Sequence, residues 1–384
     1  MSTSPFDAYR DPERPGGRRR RGSVTRDGSE RRRERRKGGE MDWLTGGGRG
    51  RGERAVVPDA EFSSYYGQPV VKPMPWKHEI PAYLFLGGLA AGSGMIGAAA
   101  GATGREVLRR NARLVAMSAV AASGGALIKD LGRPERFINM LRTVKLTSPM
   151  SVGTWIFSGF SAFASVAAAA EVNRMIEGRS GGSGDGLPIV GGLVRFIEPI
   201  GDLGSFAFGP PLAAYTAVLL SDTATPLWFE ARQHLPFVFV SSASMAAAGV
   251  QLALSPTSET GPVSRLAALG ALGDYIAVEA TERRLRAMEV EEPLHQGNPG
   301  RMMKAAKVLT IAGGVGALLG RRSRIIAAAS GVALATASAL TRFAVVDAGI
   351  ASAKDPKYTV GPQRARLAER QAHGIVHDGI TTAR

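Results

Sequence analysis

Cysteine is absent from the 384 residues. The chain therefore cannot ligate an iron–sulfur cluster through thiolates, close a disulfide or use a cysteine nucleophile. Histidine is scarce: the five stand at His78, His234, His295, His373 and His377. They form no HExxH motif and no pair deep inside an apolar run, so neither haem nor a metal is expected on this chain. Aromatic residues make up 7% of the sequence and do not interleave the basic stretches. The net charge of +15 therefore does not carry a nucleic-acid reading.

What is present falls into two unlike parts. Residues 1–64 hold a dense arginine cluster from Arg18 to Arg36, set among Gly, Ser, Asp and Glu. So little apolar surface cannot offset the entropy of ordering, and a disordered tail is expected. Such a tail would fix topology and touch anionic lipid. A cleavable signal peptide fits poorly, because no apolar core follows the basic cluster until beyond residue 79.

From Ile80 the chain changes to long runs of Ala, Gly, Leu, Val and Ile. A bilayer core takes about 20 mostly apolar residues per helix. Eight runs qualify: Ile80–Ala102, Asn111–Ile128, Met150–Val172, Leu203–Leu220, His234–Leu254, Val263–Ala280, Lys304–Leu319 and Ile325–Val346. Their glycines, six of them in the first run from Gly87 to Gly101, suit helices that must approach closely in lipid. The expected fold is an all-α integral membrane protein, multi-pass in the cell inner (plasma) membrane. Its organisation would be the tail at 1–64, a transmembrane domain at 65–358 and a polar C-terminal tail at 359–384.

The loops bear on orientation. Lys129, Arg133, Arg136, Arg142 and Lys145 would share one side with Arg283, Arg284, Arg286, Arg301 and the basic C-terminus. With the basic tail counted, the bias places both termini in the cytoplasm. The first loop on the other side, with Arg105, Arg109, Arg110 and Arg113, works against that count. Residues 173–202 read as a Gly/Ser-rich link. Residues 129–149 mix charge, proline and apolar side chains, which suggests an ordered loop that docks something.

Several motifs then stand out. They are Tyr83-Leu-Phe-Leu-Gly-Gly-Leu-Ala-Ala-Gly-Ser93, Asp130-Leu-Gly-Arg-Pro-Glu-Arg-Phe137 and Ser148-Pro-Met-Ser-Val-Gly-Thr-Trp155. Further on come Tyr215-Thr-Ala-Val-Leu-Leu with Pro226-Leu-Trp228, and Arg342-Phe343 through Gly349 to Asp355-Pro356, while Tyr66-Gly67-Gln68-Pro69 precedes them all. In this order the chain resembles the NrfD/polysulfide reductase membrane subunits over roughly residues 65–358. The resemblance implies eight transmembrane helices in two four-helix bundles without haem. It implies a partnership with a four-cluster iron–sulfur subunit and a molybdopterin catalytic subunit, of formate dehydrogenase or polysulfide/nitrite reductase type. The cofactor it implies is a quinone such as menaquinone, bound near the iron–sulfur partner.

A quinone headgroup needs hydrogen-bonding groups at its two oxygens, an apolar slot open to lipid and a proton route. Tyr215, beside the Pro210-Pro211 break, matches the tyrosine that bonds the quinone in the family. Tyr83 stands where some members carry a quinone-contacting histidine. A tyrosine still donates there, but it does not titrate near neutral pH. His78 and Glu79 precede the first helix on the family's site side. Interfacial polarity is their plainer reading, with His78 the candidate for proton exchange and Glu79 for a relay.

Asp130 and Arg133 are either a salt-bridged clasp or the lining of the quinone mouth. Trp76, Trp155 and Trp228 suit an aromatic belt, and Trp228 is also a candidate wall of the slot. Within the sixth run Asp274 and Glu279 point about 140° apart, so they do not make a carboxylate pair. Glu279 is the second relay candidate, or pairs with Arg342, which is expected at the interface. The rival readings are an inactive structural anchor of the same fold and a transporter.

Overall fold

The structure is a computed structural model that describes residues 69–133, 135–179 and 190–374. The expected disordered tail at 1–64 lies outside these residues, as does the end of the C-terminal tail. The described residues form helices and no strand. In chain order these are α1 (Glu79–Ala102), α2 (Glu106–Asp130), the short α3 (Glu135–Leu141), α4 (Pro149–Arg179), α5 (Val190–Ser221) and the short α6 (Pro226–Glu230). There follow α7 (Leu235–Leu254), α8 (Gly261–Ala287), the short α9 (Glu292–His295), α10 (Gly297–Leu319), α11 (Arg324–Lys354) and α12 (Lys357–Ala372).

Each expected apolar run coincides with one long helix, the fifth beginning at His234, the residue before α7. Seven of the described helices, α1, α2, α4, α5, α7, α10 and α11, are long and apolar enough to cross a membrane. The chain is therefore a multi-pass membrane protein. α8 has 27 residues, about 40 Å at the usual rise, but Asp274, Glu279, Glu282 and three arginines interrupt its second half.

Local signals set the boundaries. Proline opens α6, α7 and α8 at positions where a missing N–H costs nothing. Gly104 and Gly132, with φ of 68° and 69°, turn the chain out of α1 and α2 in the left-handed region that side chains resist. The Pro210-Pro211 pair does not break α5, which runs through it. It only removes two N–H donors from the ladder.

α1 is the hub: it packs against α2, α5, α7 and α11. Its glycines explain how. Gly88 and Gly92 face Ala243 and Ala247 of α7, Gly94 faces Phe160 of α4, and Gly97 faces Arg113 of α2. α4 packs on α2 and α5, while α8 and α11 both pack on α7 and α10. The closest crossing is α7 on α11. A Cβ on Gly331 would lie 2.1 Å from the Gly249 carbonyl oxygen.

The reading of 173–202 as a Gly/Ser link is corrected: α4 continues to Arg179 and α5 begins at Val190. Charge obscured these helices, and the charges are paired. Arg113, only 3% exposed, donates from Nη1 to Glu171 (3.1 Å) and Glu198 (2.7 Å) and from Nη2 to Asp202 (2.5 Å). Arg109 bonds Glu171 at 3.0 Å, and Arg174 bonds Glu198 at 2.5 Å. This network ties α2, α4 and α5 together. Part of the expected C-terminal tail forms α12, held where Arg366 meets Glu230 (2.6 Å) and Tyr358 meets Glu292 (2.9 Å). Lys357 also bonds Glu292. That bond holds the Glu292 carboxyl below its usual range and pushes Lys357 up to about 12.

Two substitutions test this packing. Gly331→Val should destabilise the detergent-solubilised protein by about 1–3 kcal/mol through overpacking. Gly125→Ala, whose Cβ meets nothing within 4 Å, should leave the melting temperature unchanged. Arg113→Ala removes the cation shared by three carboxylates and leaves Asp202 without its ion pair, and should cost about 3–5 kcal/mol. The exposed Arg110→Ala should stay within about 0.5 kcal/mol, and equal melting of the two arginine variants would contradict the network's role.

Candidate functional site

The C-terminal end of α5 carries the site. Tyr215 lies there, 9% exposed, in a seat that α4 provides. A Cβ on Gly153 would lie 2.3 Å from the Tyr215 ring, so only glycine leaves room for it. The ring is held, yet the hydroxyl is not: Tyr215 Oη is buried without a hydrogen-bond partner. Such an orphan costs about 1–3 kcal/mol unless something bonds it.

A cleft of about 560 Å³ opens beside Tyr215. Leu146 and Thr147 of the α3–α4 loop, Pro149 and Val152 of α4, and Val218 of α5 line it with Tyr215. Asp222 and Arg232, in the segments flanking α6, add its two charges. The Arg232 guanidinium lies 4.2 Å over the Phe229 ring and donates to the Phe229 carbonyl at 2.8 Å, which fixes it at the mouth. The cleft thus has apolar walls and few polar groups, as a small-molecule site does.

The other expected site residues lie elsewhere on the same end of the helices. Tyr83 is buried, its ring 6.0 Å from Phe157, one turn of α4 beyond Gly153. The two tyrosines therefore meet the same face of α4, but only Tyr215 lines the cleft. His78 is exposed and stacks on Phe343 at 6.2 Å. Glu79 pairs with Lys129 at 3.0 Å. Asp130 is half-buried at the end of α2 and Arg133 is exposed; the two do not pair with each other.

Trp228 is fully buried. It donates Nε1–H to the Val345 carbonyl at 2.8 Å and stacks on Trp76 at 5.5 Å. It fills the space over Gly349, where a Cβ would lie 2.0 Å from the indole. Its bonds are those of an anchor between α6 and α11. Glu279 pairs with Arg283 (3.3 Å) and Lys307 (3.8 Å), not with Arg342. Arg342 is not interfacial: it is 1% exposed, donates to the Phe239 carbonyl at 2.7 Å and lies 3.6 Å over that ring. The expectation failed because α11 continues past it to Lys354.

Gly153, Val152, Asp222 and Arg232 escaped the sequence reading as site residues. Gly153 was within reach, since it lies in the Ser148–Trp155 motif. Asp222 and Arg232 carry no local signal beyond being charged near helix ends.

These features define a polytopic helical membrane protein with a tyrosine lining an apolar cleft at one end of its helices. The chain belongs to the NrfD family, described as polysulphide reductase, whose family model matches residues 69–261. Membership suggests a membrane subunit of quinone-linked oxidoreductase complexes. Most of the quoted motifs, with Tyr83, Asp130, Gly153, Tyr215 and Trp228, fall inside the match, whereas Arg342–Pro356 lies beyond it. No curated protein matches the chain.

Proposed function

We propose that this chain is the membrane-anchoring, quinone-binding subunit of a multi-subunit oxidoreductase, serving electron exchange between a partner's iron–sulfur subunit and the quinone pool. The observation that carries the reading is the buried, partnerless hydroxyl of Tyr215 at the wall of the cleft. A quinone headgroup fits that donor set. Tyr215 Oη would donate to one oxygen, Leu146, Pro149, Val152 and Val218 would flank ring and tail, and Arg232 would stand at the mouth. When bound, the quinone supplies the reversible uptake of two electrons and two protons. The exposed Asp222 carboxylate is placed to pass protons between the cleft and water. With no cysteine in the chain, electrons would arrive from clusters on the partner. An inactive anchor would need no such orphan donor, and the open cleft favours the working site.

In this reading the molybdopterin catalytic subunit is of formate dehydrogenase or polysulfide reductase type, and α8 is an eighth span completing two four-helix bundles. α8 lies against α7 through Gly270 and Gly273, and its Glu282 and Arg284 are met by Lys307 and Glu230. In the same reading both termini are cytoplasmic, the arginine-rich tail outweighing Arg109 and Arg113 in the count of basic residues. The Tyr215 cleft and the loop over 131–148, which exposes Arg133, Arg136, Arg142 and Lys145, would then face the cytoplasm and the iron–sulfur partner.

The direct test purifies the protein with its native partners and titrates quinol. Tyr215→Phe should weaken quinone binding about tenfold with the fold intact, and Gly153→Ala, which unseats the ring, should do the same. Unchanged binding and turnover in Tyr215→Phe would remove it from the site. Protease should cut the arginine-rich tail only in inverted membrane vesicles; cutting from outside intact cells would reverse the orientation.

A further inference from the structure

A second cleft of about 540 Å³ lies between the start of α7 and the last turns of α8. Its polar groups come from His234, Glu279, Arg283 and Arg284, its apolar ones from Tyr275 and Ile276. Two nitrogens here have no partner: Nδ1 of His234 and Nε of Arg284 are buried and unbonded.

The surrounding charges decide what the cleft can take. Glu230 accepts Arg284 at 3.4 Å and Arg366 at 2.6 Å, which fixes the Arg284 guanidinium in place. Glu279 is held by Arg283 and Lys307, and Lys307 also bonds Glu282 at 2.6 Å. Four cations thus face three carboxylates in these pairs, a surplus of positive charge that an anion would balance.

It does not lack apolar surface. Leu269, Leu272 and Ile276 are exposed on one face of α8, with Phe237 exposed on α7. Their spacing makes a stripe that runs from the cleft toward the middle of the helix. In a bilayer such a stripe meets acyl chains. The occupant must therefore carry negative charge at the helix ends and hydrocarbon along the helices. A neutral quinone supplies only the second.

We infer that this cleft binds one anionic phospholipid of the surrounding bilayer. Its phosphate sits against Arg283, Nε of Arg284 and Nδ1 of His234, and an acyl chain lies along Ile276, Leu272 and Leu269. Basic pockets between transmembrane helices recognise anionic headgroups in this way. Because Arg284 also holds Glu230, the lipid backs the clasp that seats α12.

Native mass spectrometry of the full-length protein in detergent tests this, with phosphatidylglycerol and phosphatidylcholine of matched acyl chains as probes. The expected result is one phosphatidylglycerol retained per chain under conditions that strip phosphatidylcholine. Arg283→Gln and His234→Phe should each lower that retention about fivefold, and Arg283→Lys should restore most of it. Thermal melting of each variant confirms the fold. Equal retention of the two lipids, unchanged retention in both loss variants, or displacement of phosphatidylglycerol by a neutral quinone would overturn the assignment.

Discussion

Lipid gives apolar helices little reason to prefer one another over acyl chains, so the distance of closest approach governs how well they pack. In this chain that distance is set by residues without side chains. The glycines of α1 admit α7 on one side and α2 on another, and Gly249 and Gly331 bring two backbones together where any Cβ would collide. Remove that permission and α1 no longer serves as the hub joining the earlier helices to the later ones. The same rule shapes the site. Gly153 admits the Tyr215 ring, and Gly349 admits the Trp228 indole. One device, the missing side chain, both assembles the helices and positions the aromatic groups.

Charge is handled by pairing. At one end the Arg113 network satisfies carboxylates from two neighbouring helices. At the other end Glu230, Glu279 and Glu282 are each met by Arg or Lys. Buried ionic groups tolerate the apolar surroundings only under such conditions. Tyr215 is handled differently: its hydroxyl is buried without a partner, its ring is fixed by Gly153, and the residue lines an open cleft.

The apolar runs located every long helix, because the bilayer imposes one length and one composition on a span. Their ends were harder to read. Arg109, Arg174 and Glu198 looked like loop residues, since a sequence does not show that distant charges will neutralise each other. Arg342 looked interfacial for the same reason: its place depends on α11 extending beyond the apolar run. Within the site, Tyr215 was legible through its family motif and its position after two prolines. Arg232 and Asp222 were not, because they reach the cleft only through the fold of the α5–α7 connection. Trp228 was legible as an aromatic at a helix end, but its bond to Val345 joins residues far apart in the chain.

The central claim is that quinone occupies the cleft at Tyr215. Photolabelling the complex with a light-activated quinone, followed by peptide mapping, addresses it most directly. The account predicts label in the segments 146–153 and 215–222, suppressed by excess natural quinol. Label that survives this competition, or that maps to the α7–α8 cleft around His234 and Arg283, would contradict it.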